Sequence, residues 1–576
     1  MLGLAEFLGI QCEVLALANV SEHAAYLEKT VPRGGSCFVV NPEVIKEWIG
    51  TCNLSSDLVS FLLSRFPHVL VHGLRVDDFD GKLVAALSRE RLQSVRAINK
   101  ESSTYDFSSD SKEICGAFSG LSFGPVNSVN DHVVVSRSGS DPALRQLISI
   151  GGQPFMAAVV LEGTAVLFLA SEDVADVNLE ATASFTAYFS RFVPYAMALR
   201  YAAADECWRP CEQYASIIVD DPLLRSDYGF LNFESLLSLM QRHNFHTSIG
   251  FIPHNFRRSI PRITRMFREN ASRLSICYHG NDHTAAEFAS TDVITLETML
   301  SVAEHRMNAH EKMTGVHCDR VMVFPQEDFS AEALAALKSH NFYGVVNSGP
   351  FPPRQPDRPT ISDIAQPAIL RYEGFPIFTR KFIEHIQSFD IAFNLFFGRP
   401  ILVGAHHEVF ERPERVVEVA AKINTVAPQV NWSSPATAIS NSILRRRVPD
   451  GTYHVRAYSG TVRISNDSDS IRHFSIEWRD RCDNVSVGQV VMDGVPCPGF
   501  EIDETGIRLS VELPPGSRTF SLVHQNAHGT VRHVGLRWNA QAFLRRRLSE
   551  VRDNYLSKSQ HLLTAAKALK RCFPKV

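Results

Sequence analysis

The sequence has no long uncharged apolar run, no internal repeat, no low-complexity tract and no marked excess of either charge, and each absence removes a class of function. With 58 Lys plus Arg against 62 Asp plus Glu, the formal net charge of -4 offers no basic field for a nucleic-acid backbone. The apolar stretch at residues 1–23 lacks a basic leader segment. Glu6 and Glu13 interrupt it before a signal-peptide core or a membrane span could form. A cytoplasmic protein is therefore expected. Eleven cysteines, an odd number without repeated spacing, argue against a disulfide framework and fit reduced thiols. Cys207 and Cys211 form a lone CxxxC with no second pair, which argues against zinc there.

What is present is length and alternation. A chain of 576 residues exceeds one ordinary core and predicts about three domains. Over residues 1–205, apolar strands such as "CEVLALA", "SCFVVN", "HVLVHGL" and "VRAIN" alternate with helical segments, which predicts an α/β domain with a mostly parallel sheet. "GGQPFMAAVVLEGTAVLFLAS" reads as a hairpin turning at "LEGT". In pattern this region resembles the glutamine-amidotransferase-like domain that accompanies several bacterial carbohydrate enzymes, and no catalytic motif accompanies it. Cys37 lies within a strand with no histidine placed beside it, so it is expected to be a buried structural thiol.

Residues 206–447 alternate strand and helix about six times, through "ASIIVDD", "HTSIGFIP", "LSICYHG", "RVMVFPQ", "FYGVVNS" and "PILVGAHH". This predicts a β/α barrel or an open parallel sheet, with active groups at the C-terminal ends of the strands. Residues 448–538 switch to short alternating strands and read as a β-sandwich. Residues 539–576 form a basic amphipathic helix in which Leu548, Val551, Tyr555, Leu562, Leu563 and Ala566 face the protein. Arg545, Arg546, Arg547, Arg552, Lys558, Lys567, Lys570 and Arg571 are solvated, open to an anionic membrane or a partner protein.

Three strand ends in the second domain carry groups able to hold a divalent ion: "VDDP" with Asp220 and Asp221, "HGNDH" with His279 and His283, and "GAHHE" with His406, His407 and Glu408. Imidazoles four apart share one face of a helical turn, so His279 and His283 can reach one ion together. A carboxylate from another strand end completes a two-His, one-carboxylate site with open positions for water and substrate. Paired aspartates closing a buried apolar strand are costly unless they are paired or bind metal.

The order "VDD…HGNDH…FP…AHH" resembles the polysaccharide deacetylase superfamily, of the carbohydrate esterase family 4 type typified by chitooligosaccharide deacetylases, over residues of about 210–440. The resemblance implies a distorted β/α barrel that removes acetyl groups from an N-acetylated sugar or glycan precursor. It makes Asp220 the general base, and Asp221, His279 and His283 the ligands of a divalent metal, zinc by ligand type. A histidine of the "GAHHE" segment, His406 or His407, becomes the acid that protonates the leaving amine. His254, Asn255 and Arg258 of "IPHNFRRS", with Pro325 of the third motif, are candidates for substrate contact. Two departures accompany it: Asp221 is followed directly by Pro222 where the family has Asp-Asp-Gly-Pro, and Arg320 stands five residues ahead of Pro325 where the family's arginine adjoins its proline. Other readings are a catalytically degenerate carbohydrate-binding or scaffold protein, and a metal-dependent hydrolase or glycosidase acting on a different bond.

Overall fold

The structure is a computed structural model that describes residues 1–14, 37–49, 63–98, 103–126, 130–137, 141–181, 185–284, 286–355, 357–479, 487–524, 536–556 and 558. Most of the expected strand "CEVLALA" and the tail residues Leu562, Leu563, Ala566, Lys567, Lys570 and Arg571 lie outside the described residues. The chain forms two compact units, Met1–Trp208 with Thr360–Ser362, and Arg209–Pro359 with Asp363–Val576. Among the described residues no helix is long and apolar enough to cross a membrane.

The first unit is built on a seven-stranded sheet in the order Phe38–Val40, His68–His72, Thr164–Leu169, Gln153–Leu161, Leu144–Ile150, Tyr105–Phe107 and Ser122–Phe123. It is mixed, not mostly parallel. The first two pairings are parallel and the other four antiparallel. Residues 144–169 fold as consecutive hairpins, which can only pair antiparallel, whereas parallel pairing needs a crossover. The hairpin at "LEGT" forms with Glu162 at φ 53° and Gly163 at φ 91°, the pair of positive values that a tight two-residue turn requires. "VRAIN" leaves this sheet altogether, as Leu92–Ala97 pairs antiparallel with His132–Ser136 in a separate ribbon. Cys37 is partly buried, and burial pushes its thiol up to about 12, which leaves it inert as a nucleophile.

In the second unit seven parallel strands close into a barrel: β1 Tyr214–Asp220, β2 Thr247–Phe251, β3 Leu274–His279, β4 Cys318–Val323, β5 Gly344–Asn347, β6 Ile377–Phe382 and β7 Ile401–His406. Each pairs with the next, and β7 pairs back to β1. β1 is buried along its whole length, as a parallel strand covered on both faces must be, and its "ASIIV" run supplies the apolar content. Helices Phe233–His243, Pro261–Glu269, Val293–Thr314, Ala331–Ser339, Ser388–Phe397 and Glu414–Val426 lie between or after strands. The Asn232 side chain caps the first by accepting from Ser235 N, and Asn244 ends it at φ 48°. Strand β6, "IFTRKF", has no counterpart among the six expected strands.

A β-sandwich of a six-stranded and a four-stranded sheet follows, closed on Val455, Val462, Ile464, Phe474, Ile476, Trp478, Val490, Leu509 and Phe520. Its first sheet takes in Ile443–Arg447 and Arg209–Pro210, so the expected division at residue 447 falls between two paired strands. The C-terminal helix Leu536–Val551 departs from the expected amphipathicity at Arg546 and at its apolar positions, while Arg547, Arg552 and Lys558 are exposed as expected. Arg546 is buried at 3% exposure, while Leu548, Val551 and Tyr555 are exposed at 56%, 47% and 70%. Asp221 draws Arg546 and Arg258 draws Glu550 towards the barrel, and Leu548 and Val551 are left outward.

Candidate active site

β1 ends in Asp220 and Asp221. The first points into the barrel, where Arg380 of β6 donates from Nη1 to Oδ1 at 3.0 Å and from Nη2 to Oδ2 at 2.6 Å. Both side chains are almost completely buried. Burial opposes the charge on Asp220, but the Arg380 guanidinium outweighs it and holds the carboxyl down at about 2. Space for this pair is made by glycines. A Cβ on Gly250 would stand 2.8 Å from Asp220 Oδ1, and one on Gly404 would stand 3.2 Å from Arg380 Cδ.

Asp221 turns the other way, with φ 82°, and faces the two histidines. Its Oδ1 lies 3.7 Å from His279 Nε2 and 3.5 Å from His283 Nε2, and the two imidazole rings are 4.9 Å apart. Together the three offer ligand atoms all within 4.8 Å of one another. His279 Nδ1 lies 3.0 Å from the Val323 carbonyl at the end of β4. Donation there fixes the tautomer and leaves the Nε2 lone pair facing Asp221. Asp221 Oδ1 is buried with no hydrogen-bond partner among the described residues. Burial again opposes its charge, and His283, His279 and Arg546 outweigh it to hold the carboxyl below the usual range. A bare carboxylate oxygen, two imidazole nitrogens and a fixed tautomer suit one divalent ion.

The two histidines meet through a bent loop and not on a helical turn. Gly280 at φ 67° and His283 at φ 55° fold the chain back after β3. A side chain on Gly280 would strike Glu287 Oε1 and Pro325 Cγ, at 2.2 and 2.5 Å from its Cβ. Glu287 is buried and gathers the loop, accepting from the amides of Asn281 (2.6 Å), Asp282 (3.2 Å), His283 (3.2 Å) and Thr284 (3.4 Å). Arg306 holds it from behind, donating to Asn281 Oδ1 at 2.7 Å and Asp282 Oδ1 at 2.6 Å.

The two histidines of "GAHHE" part company, as neighbours in a strand must. His406 is opposite Asp220 in the β1–β7 register, is exposed, and stacks on Phe382 with centroids 5.6 Å apart. His407 is buried at 2% exposure beside Tyr228 and Phe230, and its Nε2 lies 3.8 Å from Asp553 Oδ1 and 3.6 Å from Glu408 Oε1. His407 is thus engaged away from the aspartate pair, and His406 remains as the accessible imidazole.

The four residues expected to touch substrate are taken up by packing. His254 Nδ1 lies 3.0 Å from buried Asp282 Oδ1, behind the loop. Asn255 is buried at 1% exposure and accepts from Arg258 Nη1 at 3.2 Å. Arg258 clasps Glu550 of the C-terminal helix through both nitrogens. Pro325 is buried against Gly280. Arg320 likewise serves elsewhere, bonding Glu304 and the His340 carbonyl, so the arginine on Asp220 comes from β6. Arg380, Glu287 and Arg306 stand outside the motifs that the sequence presents: "IFTRKF" breaks its apolar run with Arg380 and Lys381, and Glu287 follows the "HGNDH" segment.

No family model and no curated protein matches the sequence. Solved structures are similar to it. The carbohydrate deacetylase Agd3 aligns over 90% of this chain and 96% of its own, at 10% identity and a TM-score of 0.45. A family 4 carbohydrate esterase from Streptomyces lividans aligns over 38% of this chain and 89% of its own, at 10% identity and a TM-score of 0.23. The Bc1960 peptidoglycan N-acetylglucosamine deacetylase aligns over 39% and 94%, at 12% identity and a TM-score of 0.22.

Proposed function

We propose that this protein is a metal-dependent hydrolase that removes the acetyl group from an N-acetylated sugar or glycan precursor. What carries the proposal is one juxtaposition: Asp221, His279 and His283 converge at strand ends, beside an aspartate that Arg380 keeps ionised. Asp221, His279 and His283 would hold the ion, zinc by ligand type. Bound there, a divalent cation polarises a carbonyl and acidifies water.

The chain's own groups divide the remaining work. Asp220, ionised at any pH above about 2, is a weak base, suited to taking a proton only from water already made acidic. Arg380 fixes both of its oxygens, so the acceptor does not rotate. As the water oxygen bonds to the acyl carbon, its proton passes to Asp220 and the carbonyl electron pair moves onto the acyl oxygen. His406, opposite Asp220 and open to solvent, donates the proton with which the C–N bond breaks and the amine leaves, with acetate as the other product. The choice of an acetylated carbohydrate is supported by the motif order described above, and the choice of a hydrolytic site by the ligand set.

The test is metal titration of stripped protein together with acetate release from a panel of acetylated oligosaccharides. About one divalent ion per chain is expected, and Asp221→Ala should abolish both metal retention and acetate release. Turnover by a metal-free variant would overturn the proposal. Release of reducing ends without acetate would assign the site to glycosidic bonds instead.

A further inference from the structure

The C-terminal helix Leu536–Val551 brings a second arginine to the aspartate pair. Arg546 is 3% exposed, and its Nη2 lies 4.0 Å from Asp221 Oδ1. Arg380, Arg306 and Arg258 each hydrogen-bond a carboxylate. Arg546 hydrogen-bonds none among the described residues, and its Nε is buried without a partner. A guanidinium carries five donors, and a buried Nε without a partner is costly unless a ligand completes it.

Helix anchoring does not explain the cost, because other residues do it. Glu550 pairs with Arg258, Asp553 Oδ2 accepts from Tyr228 Oη at 2.8 Å, and Asn554 Oδ1 accepts from Gly229 N at 2.8 Å. Charge points the same way. Asp220 is matched by Arg380, so once Asp221 serves a divalent ion, Arg546 is left as an uncompensated cation beside it. Such a site calls for an oxyanion next to the metal ligands.

We propose that Arg546 is a further catalytic residue of this site, whose guanidinium receives the acyl oxygen as negative charge gathers on it during attack on the amide. The proposal rests on the deacetylase reading and extends the active site to the C-terminal helix. In the full-length, metal-stripped protein, zinc affinity is measured by calorimetry with and without acetate, the oxyanion product. Acetate should tighten zinc binding at least tenfold in the wild type and have no such effect in Arg546→Gln, while zinc alone binds the variant as well or better because a like charge is gone. Arg546→Lys keeps the charge but not the fork, and should recover part of the coupling, which serves if the Gln variant does not fold. Undiminished coupling in Arg546→Gln, or zinc binding without acetate coupling in the wild type, overturns this proposal alone. Failure of the wild type to bind zinc overturns it together with the deacetylase reading. On a turned-over substrate, Arg546→Gln should lower kcat by about 10²- to 10³-fold at nearly constant KM. A rise in KM alone refutes an oxyanion role.

Discussion

Replacing Arg380 with leucine should turn Asp220 from a paired into an orphaned buried charge, and the consequence can be worked from the geometry. The pair is a two-bond clasp, at 3.0 and 2.6 Å, between side chains that are 1% and 2% exposed. Removing one partner of such a pair costs about 3–5 kcal/mol, because the other charge stays buried. In the wild type the carboxyl is held at about 2 against an ordinary 3.8. That depression contributes about 2 kcal/mol of stability, fully present above the unfolded value and lost as pH falls through 2. In Arg380→Leu the sign reverses: burial alone raises the carboxyl, and protonation relieves the orphan as pH falls.

The gap in apparent stability between wild type and Arg380→Leu should therefore be widest near pH 7.5 and shrink towards pH 4.5. Urea denaturation across that range measures it. Asp220→Leu combined with Arg380→Leu should restore most of the loss, since no charge then remains buried. A loss below about 1 kcal/mol, or one that does not change with pH, would show that Arg380 does not keep Asp220 ionised.

His340 sits between two carboxylates, Nδ1 at 2.7 Å from Glu304 and Nε2 at 2.7 Å from Glu297. Burial works against its charge, and the two carboxylates outweigh it and raise the imidazole to about 9. Its contribution, about 1–3 kcal/mol after screening around the more exposed Glu297, is fully present below about 6.5 and lost as pH rises towards 9. Thermal melts of His340→Gln should approach those of the wild type only at the alkaline end, and a constant offset would contradict this. Gly250→Ala places a Cβ 2.8 Å from an Asp220 oxygen that cannot turn away from Arg380. It should cost about 1–3 kcal/mol and most of the activity, and a fully active, equally stable variant would show that Asp220 is free to move. His406→Gln should lower turnover by about 10²-fold or more with metal content unchanged, whereas His407→Gln should act on stability through Tyr228 and Asp553. The reverse pattern would exchange their roles.

The parts of the fold legible in the sequence were those written in uninterrupted apolar runs. "SIIV", "LSICY" and "ILVGA" each mark a strand, and the polar residue that ends each run marks the rim of the barrel. Strand β6 escaped because its interior-facing Arg380 is polar, and the carboxylate of Asp220 across the barrel offsets the burial of that charge. The pairing of His279 with His283 was legible as spacing but not as geometry. Four-residue spacing implies a helical turn, yet positive φ at Gly280 and His283 bends a loop to the same end. The C-terminal helix misled in the opposite direction. Its apolar stripe of Leu548, Val551 and Tyr555 predicted the buried face, but the partners that decide the matter, Asp221, Arg258 and Tyr228, lie some 300 residues earlier in the chain.

Glu287 is where this long-range dependence can be tested most directly. The loop from Gly280 to His283 has no regular backbone pairing of its own, and two of its residues hold positive φ. One buried carboxylate supplies the acceptors for four successive amides there. On the proposed function, Glu287 is expected to hold His283 near Asp221 independently of the ion, which lowers the ordering cost at binding. Glu287→Gln keeps the size of the side chain but turns one acceptor into a donor that faces the same amides. Zinc affinity should fall about 10- to 100-fold, with far-ultraviolet circular dichroism unchanged because the barrel strands do not depend on this loop. If affinity holds in the variant, the loop is ordered by the ion and not in advance of it.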